Sequence, residues 1–173
     1  AVAQAVWLSM TTTTTTLLLA LVFGMPVAYL LARRQFRGRA VLDTLIDLPI
    51  VMPPSVAGIA LLLAFGRRGL LGQHFSAAGV DIAFTQVAVV MAQVFVAAPF
   101  FVKAATAGFA NVDREIESAA AIDGASGFQV FRMITMPLAS AALLAGAVMT
   151  WARALGEFGA TIIFAGNFPG RTQ

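Results

Sequence analysis

The hydrophobic positions of the chain fall into four long runs that are separated by polar connections. The first run, residues 6–32, contains no charged residue and would form a helix about 40 Å long, enough to cross a hydrocarbon core of about 30 Å. Three further runs of sufficient length cover residues 41–65, 84–107 and 138–164. The pattern predicts an all-α integral membrane protein that crosses the bilayer four times.

Two of the four predicted spans contain prolines. Pro49, Pro53 and Pro54 interrupt the second span, and Pro99 interrupts the third. Because proline lacks an amide hydrogen, it loosens the helix around it. Two interpretations are open: the prolines introduce kinks that have no functional role, or they mark a broken helix that lines a transport path.

Composition changes the picture by excluding other classes of protein. The hydrophobic share is 60%, against about 45–50% in ordinary soluble domains, and charged residues make up only 11%. The mean hydropathy of the chain is +0.88, which excludes a soluble globular, a fibrous or a disordered protein. The sequence has no cysteine and one histidine, His74, which excludes disulfide scaffolds and thiolate zinc sites and leaves little for a histidine metal site.

The basic residues are distributed unevenly between the two sides of the predicted membrane. Seven flank the connections after the first and third spans, and three lie on the other side. By the positive-inside rule the larger set is cytoplasmic, so the N-terminus is expected outside the cell. The net charge of +3 then reflects topology and does not indicate nucleic-acid binding. The cytoplasmic set is Arg33, Arg34, Arg37, Arg39, Lys103, Arg114 and Arg132, and the outer set is Arg67, Arg68 and Arg171.

The connection between the third and fourth spans, residues 108–137, is the most polar stretch of the chain. Asp113 is placed to cap a first short helix, and Gly124 is placed to end it. Ser126–Gln129 has the S-x-x-Q form of a capping box that opens a second helix, which we expect to end at Pro137, where the fourth span begins. The connection is therefore predicted to hold two short helices.

The first of these helices carries a face of small residues, with Ala119 and Ala120 beside Ile116. Small side chains let another backbone approach closely, so the face suits docking into a groove of a partner protein. The alternative is an amphipathic loop resting on the lipid surface, which calls for a basic polar face. Four acidic residues outnumber two basic ones in this stretch, which favours docking.

Ser118–Gly124, followed after nine residues by Ile134–Pro137, resembles the E-A-A-x-x-x-G-x(9)-I-x-L-P motif of ABC importer permeases. Ser118 stands at the glutamate position with Glu117 one place earlier, and Met136 replaces leucine. The resemblance implies a type I importer permease fold (MetI-like), in which this loop is the coupling helix that sits in a cleft of the ATPase subunit. The residues expected to couple to the ATPase are Glu117, Ser118, Ala119, Ala120, Asp123, Gly124, Ile134 and Pro137.

The chain lacks the residues that would bind ATP. Lys103 is its one lysine, and no glycine stands in the six residues before it, so no G-x-x-x-x-G-K-[ST] phosphate loop is present. We expect a transport subunit and not an enzyme, with no catalytic residue, metal or cofactor of its own. ATP and Mg²⁺ are expected on a partner ATPase. Asp43 and Asp47, the nearest candidate for an intramembrane catalytic pair, are expected to cap a helix or pair with neighbouring arginines.

Arg153 and Glu157 lie four residues apart in the fourth predicted span and therefore on one helix face. Charges at membrane depth cost about 2.5–3.5 kcal/mol each, so they are expected to face a bundle interior or a water-filled cavity. The pair either fixes helix packing or borders the path of an anionic substrate. Flanking glycines would loosen the helix near a gate. The candidate path or gate residues are Arg153, Gly156, Glu157, Gly159 and Thr161.

The segments Arg153–Thr161, Phe164–Asn167 and Pro169–Gln173 resemble the permease subunit of molybdate importers. The similarity covers nearly the whole chain, so residues 1–173 are expected to form one transmembrane permease domain. It implies a homodimer of permeases, surrounded by lipid, in a bacterial or archaeal cell (inner) membrane. The implied partners are cytoplasmic ATP-binding subunits and an extracytoplasmic binding protein that delivers molybdate or tungstate. The resemblance also implies a fifth membrane helix after residues 169–173, so we expect the chain to be a fragment.

Two alternative functions stay open from the sequence. One is an importer of sulfate, thiosulfate or tungstate, because tetrahedral dianions of similar size offer a membrane pore little to distinguish. The other is an ATP-independent secondary transporter or a channel, a class for which internal inverted repeats are expected. The two halves of the chain show no convincing self-similarity, and this class leaves the Ser118–Pro137 pattern without a purpose.

Overall fold

The structure, a computed structural model, describes residues 2–167, with side chains from residue 3 onward. This part of the chain is built from helices joined by turns, which confirms the predicted all-α class. The motif residues Pro169–Gln173, and the membrane helix expected after them, lie outside the described residues. In chain order the helices are α1 (Val2–Arg33), α2 (Arg39–Val51), α3 (Pro54–Phe65), α4 (Gly72–Ala77), α5 (Gln86–Ala110), α6 (Arg114–Ile122), α7 (Gly127–Val130), α8 (Met136–Leu155) and α9 (Gly159–Phe164), with a π-helical turn, Phe131–Thr135, between α7 and α8.

Four stretches of the described chain are candidates for crossing a membrane. α1, α5 and the continuous helix Gly127–Leu155 are each long and apolar enough to cross alone. α2 and α3 meet the same test together, but the chain bends by 118° between them. The described chain therefore has three helices that could each cross alone, and four spans if the bent pair is counted as one. The second predicted span is broken at Pro53 and Pro54, where consecutive prolines remove backbone donors.

α1 and α5 pack side by side and run in the same direction. Thr16, near the middle of α1, bonds to Gln93 in the first half of α5, and at the end of α1 Arg33 Nη1 donates to the Val112 carbonyl just after α5 at 3.2 Å. Between these contacts, Gly24 approaches α5 so closely that a Cβ atom there would lie 3.0 Å from the nearest ring carbon. Because both helices end on the same side, the intervening chain must return across the fold, and α2 with α3 makes that return.

Small residues bring α8 close to α5 in the antiparallel sense. A Cβ built on Gly108 would lie 2.6 Å from Cβ of Ala142, and one built on Gly146 would lie 2.7 Å from Cβ of Ala104. Such close approach is typical of membrane helices, in which packing and interhelical hydrogen bonds drive association. α5 is therefore the central helix of the described fold, with α1 and α8 packed against it.

The threonine run of α1 uses its hydroxyls in two ways. Thr11, Thr12 and Thr15 donate to backbone carbonyls four residues earlier, as expected for hydroxyls in a membrane helix. Thr16 instead donates to Oε1 of Gln93 at 3.0 Å, and Gln93 Nε2 donates to a carbonyl near the end of α8 at 3.2 Å. Gln93 therefore joins α1, α5 and α8 at a buried position.

The prediction that Pro137 ends the second loop helix is wrong. The helix runs without interruption over Gly127–Leu155. In the π-helical turn before α8, the Met136 amide donates to the Phe131 carbonyl five residues earlier. In this wider turn the amide bonds to a carbonyl five residues earlier instead of four. The helix therefore continues through Pro137, although proline has no amide hydrogen to donate.

The predicted fourth span, residues 138–164, is also interrupted. α8 ends at Leu155, and α9 begins at Gly159 after a short break. The physical reason is a side chain that competes with the helix, because Glu157 accepts a hydrogen bond from the Ala160 amide at 2.7 Å. A new helix start is formed there instead of a continuation of α8.

Candidate coupling loop and substrate path

The loop between α5 and α8 is shaped by the local signals in its sequence. Asp113 Oδ1 accepts a hydrogen bond from the amide two residues later at 2.8 Å and so caps α6. Gly124, with a φ of 93°, takes the left-handed conformation that favours glycine and follows the end of α6. Ser126 and Gln129 form the predicted capping box, with the Ser126 amide donating to Gln129 Oε1 at 2.7 Å. The two predicted short helices are present as α6 and α7.

α6 lies on the surface of the described structure. None of its residues is buried in this part of the chain, and Ile122 is 85% exposed. The small-residue face predicted from the sequence is therefore accessible to a partner. Among the candidate coupling residues, those exposed are Ser118, Ala119, Asp123, Gly124 and Pro137, and those half-buried are Glu117, Ala120 and Ile134.

Glu117 differs from the other candidate coupling residues because it points into the fold. Its Oε1 accepts a hydrogen bond from Arg33 Nη2 at 2.6 Å and another from Thr135 Oγ1 at 2.5 Å. Arg33 is the last residue of α1, and Thr135 is the last residue before α8. Sequence reasoning missed both partners. One signal in the sequence could have found them. Glu117 stands one residue ahead of the motif glutamate position, and one residue turns a side chain by about 100° around a helix, so Glu117 lies on a different face of α6 from that position.

Glu157 holds together the two helices at the end of the fourth span. Its side chain is 1% exposed, with Oε2 accepting from Arg153 Nη1 at 2.7 Å and Oε1 accepting from the Ala160 amide at 2.7 Å. Thr161 Oγ1 donates to the Glu157 carbonyl at 3.2 Å. The carboxylate thus connects α8 with the first turn of α9. The Arg153 side chain remains 30% exposed in the described chain.

The break between α8 and α9 lies against the break between α2 and α3. A Cβ built on Gly159 would lie 2.8 Å from Cβ of Pro54, and one built on Gly58 would lie 2.9 Å from Cα of Ala160. The two glycines therefore let α3 and α9 approach closely. Sequence reasoning placed the candidate path residues on one helix and did not connect them with Pro54. The candidates that lie around this contact are Arg153, Gly156, Glu157, Gly159 and Thr161.

Lys103 joins α5 to α2. Its Nζ lies 2.7 Å from Asp43 Oδ1 and 2.8 Å from Asp47 Oδ1. The expectation that these two carboxylates cap a helix or pair with neighbouring arginines is wrong, because α2 folds back along α5 and brings them to the lysine. Within the residues that the structure describes, no three or more carboxylates or histidines are grouped as they would be around a metal ion.

The coupling loop and the candidate path residues lie at opposite ends of α8. The helix has 20 residues, which corresponds to a length of about 30 Å. The loop and the candidate path residues are therefore separated by the full length of α8.

Comparison with known proteins relates this geometry to a family. Residues 20–172 match the family described as "Binding-protein-dependent transport system inner membrane component". The molybdenum transport system permease protein ModB of Escherichia coli K12 is 41% identical over 171 residues, which cover 98% of this chain and 75% of that protein. ModB of Mycobacterium tuberculosis H37Rv is 44% identical over 169 residues, which cover 98% and 64%. The molybdate/tungstate transport system permease protein WtpB of Thermococcus kodakarensis is 41% identical over 164 residues, which cover 95% and 61%.

These matches cover both segments on which the resemblance to importer permeases depended, Ser118–Pro137 and Arg153–Thr161. They also agree with an all-α chain that has three to four candidate membrane spans in its described part. The chain therefore belongs to the family of inner membrane components of binding-protein-dependent transport systems.

Proposed function

We propose that this chain is the membrane permease of an ATP-driven importer of molybdate. The observation that carries the proposal is the identity of 41% and 44%, over nearly the whole chain, to permeases named for molybdenum transport. Two features of the structure support the proposal. The exposed loop around α6 can engage an ATPase, and the break at Glu157 can meet the anion.

In the proposed complex, two copies of the chain form the pore between them. ATPase subunits, which bind ATP and Mg²⁺, attach on the cytoplasmic side, and a binding protein delivers the anion from outside. If the coupling loop faces the cytoplasm, then Arg33, at the same end of the fold, is cytoplasmic and the N-terminal end of α1 is outside. Arg34 and Arg37, exposed just beyond that end, agree with the positive-inside rule.

The exposed face of α6 is the proposed docking surface for the ATPase. Ser118 and Ala119 are small enough to let a partner backbone approach, and the exposed Ile122 supplies an apolar anchor. Gly124 follows the end of the helix and fixes its length. The remaining candidate residues, Ala120, Asp123, Ile134 and Pro137, shape the same loop.

Arg153 is the proposed contact for the anion. A guanidinium group binds oxyanions through several charge-assisted hydrogen bonds, and within the described residues Arg153 commits only Nη1 to Glu157. The buried carboxylate of Glu157 offsets part of the positive charge, so an anion that binds here can also leave. Gly156 lies in the break between α8 and α9, Gly159 and Thr161 lie in the first turn of α9, and the path would open or close at this point.

Transport would follow alternating access. ATP binding closes the ATPase dimer and draws the coupling helices together, which opens the cavity to the outside. Hydrolysis then returns the permease to a state open to the cytoplasm. Because a ligand shifts an equilibrium only by its differential affinity for the two states, ATP must favour one state of the assembled complex.

Reconstitution of the permease with its ATPase and binding protein in liposomes tests this proposal. Uptake of labelled molybdate is expected to need ATP hydrolysis and to persist with sulfate in excess. Loss of uptake at equimolar sulfate would assign the importer to sulfate instead. Uptake that follows an ion gradient without ATP would identify a secondary transporter and contradict the proposal.

A further inference from the structure

We propose that Arg33, Glu117 and Thr135 transmit the movement of α6 to α1 and α8. The connection is a positioning device for transport and not part of the ATPase docking surface. The inference rests on the proposed function in one respect, since α6 is taken as the helix that moves with the ATPase. It gives Glu117 a role different from that of the exposed residues around it.

Glu117 Oε1 is the point at which three elements meet. It accepts hydrogen bonds from Arg33 Nη2 at 2.6 Å and from Thr135 Oγ1 at 2.5 Å. Arg33 ends α1, Glu117 lies within α6, and Thr135 directly precedes α8. Nη1 of Arg33 also donates to the Val112 carbonyl, just after α5, at 3.2 Å. A displacement of α6 therefore acts on all three long helices through two side chains.

Shielding from water makes this connection stiff. The side chains of Arg33 and Glu117 are 9% and 16% exposed. Charge-assisted hydrogen bonds are about twice as strong as neutral ones, and a low local dielectric strengthens them further. Arg33 Nε is buried and has no partner among the described residues, so the two Nη contacts set the orientation of the guanidinium group.

Aromatic rings pack beside these hydrogen bonds and join the ends of α1 and α5 to the π-helical turn before α8. Tyr29, one turn before Arg33, has its ring centre 5.5 Å from that of Phe109 in α5. The same ring lies 5.1 Å from that of Phe131 in the π-helical turn, and both contacts are edge-to-face. A force applied at Glu117 therefore moves the ends of α1, α5 and α8 together.

The chain offers a matched control on the same helix. α6 places no residue in the core of the described structure, and its side chains bond to α1 through Glu117 and through Arg114, whose Nη2 donates to the Arg33 carbonyl at 3.4 Å. Glu115, two residues earlier, is exposed, and its carboxylate has no ion pair within the described chain. Glu115→Gln removes the same charge from α6 as Glu117→Gln but leaves the connection intact.

The test uses the complete transporter in liposomes and measures the ATP hydrolysed per anion imported. Retention of the ATPase on the permease is the second readout. Glu117→Gln is expected to raise ATP per anion by about fivefold or more while the ATPase stays bound, and Glu115→Gln is expected to stay within about twofold of the wild type. The charge swap Arg33→Glu with Glu117→Arg is expected to recover part of the coupling.

Equal ratios in the two glutamine variants would overturn the proposal. Loss of the ATPase from Glu117→Gln would also overturn it, because that result assigns Glu117 to docking. If Glu117→Gln does not reach the membrane, Thr135→Val takes its place, since it keeps the ion pair and the side-chain volume. An unchanged ratio in Thr135→Val then counts against the connection.

A distance measurement separates this inference from the proposed function. The sequence has no cysteine, so Gln35→Cys and Glu115→Cys place two spin labels at exposed positions beside the end of α1 and in the first turn of α6, away from the proposed docking surface. In the assembled complex we expect one narrow distance distribution with and without ATP, and a broad one after Glu117→Gln. Labels that separate on ATP binding in the wild type would refute the connection. Failure to import molybdate, with the distances as expected, would refute only the proposed function.

Discussion

Gly159 and Pro54 lie so close together that a Cβ atom on the glycine would be 2.8 Å from Cβ of the proline. The two residues belong to different spans, and each stands at the point where its span is broken. The broken ends of the second and fourth spans therefore support each other across the fold. This contact depends on the absence of a side chain at Gly159.

Gly159→Ala is expected to destabilise the permease by about 1–3 kcal/mol, because the added methyl group forces α3 and α9 apart. The control is Gly156→Ala, whose Cβ would meet nothing nearer than an oxygen at 3.5 Å. Thermal unfolding of the detergent-purified protein measures the difference. Equal melting temperatures for the two variants would show that the breaks are not packed against each other.

Gln93→Leu is expected to cost about 1–2 kcal/mol, because it removes hydrogen bonds that tie α1 and α8 to the central helix. Gln86→Leu, at the exposed start of α5, is the matched control. Thr16→Val removes one of the same bonds, so its effect should be less than additive with that of Gln93→Leu. Full additivity in a double-mutant cycle would contradict the shared network.

Gly124→Val is expected to weaken copurification of the ATPase while membrane insertion stays intact. The φ of 93° costs a β-branched residue about 1–2 kcal/mol, and no atom lies within 4 Å of the added Cβ, so the cost comes from the backbone alone. Gly124→Asn, which tolerates this conformation, is expected to retain the ATPase. Unchanged association of the valine variant would refute the docking role of the loop.

Arg153→Leu is expected to accumulate poorly, because it leaves the Glu157 carboxylate, which is 1% exposed, without its charged partner, and an uncompensated buried charge costs about 3–5 kcal/mol. Adding Glu157→Gln removes the unpaired charge and should restore accumulation in the membrane. If Arg153 contacts the anion, the double variant is folded but imports slowly, as measured by uptake in liposomes. If the double variant imports molybdate at the wild-type rate, Arg153 does not contact the anion and the pair has only a structural role.

The short-range features of the coupling loop could be predicted from sequence. The cap at Asp113, the helix end at Gly124 and the box formed by Ser126 and Gln129 each act over two to four residues, and each is found where the sequence predicts it. Pro137 shows the limit of such reasoning. Its effect depends on the π-helical turn before it, for which the sequence has no recognised local signal.

Contacts between distant elements could not be predicted in the same way. Asp43 and Asp47 were expected near arginines close to them in sequence, but their partner is Lys103, which is 60 and 56 residues away. Arg33 and Glu117 are 84 residues apart. A single sequence indicates which face of a helix is polar, but it does not fix the direction in which that face turns when helices pack.

α1 is bonded to α5 at two levels: Thr16, near the middle of α1, bonds to Gln93, and Arg33, its last residue, bonds to Val112 just after α5. The sequence offset between partners is nearly constant, at 77 and 79 residues. A piston-like slide of one helix past the other would therefore break both bonds at once. We therefore expect α1 and α5 to move as one unit during transport, so that the changes of shape occur at the contact between α2 and α5 and around the two broken spans.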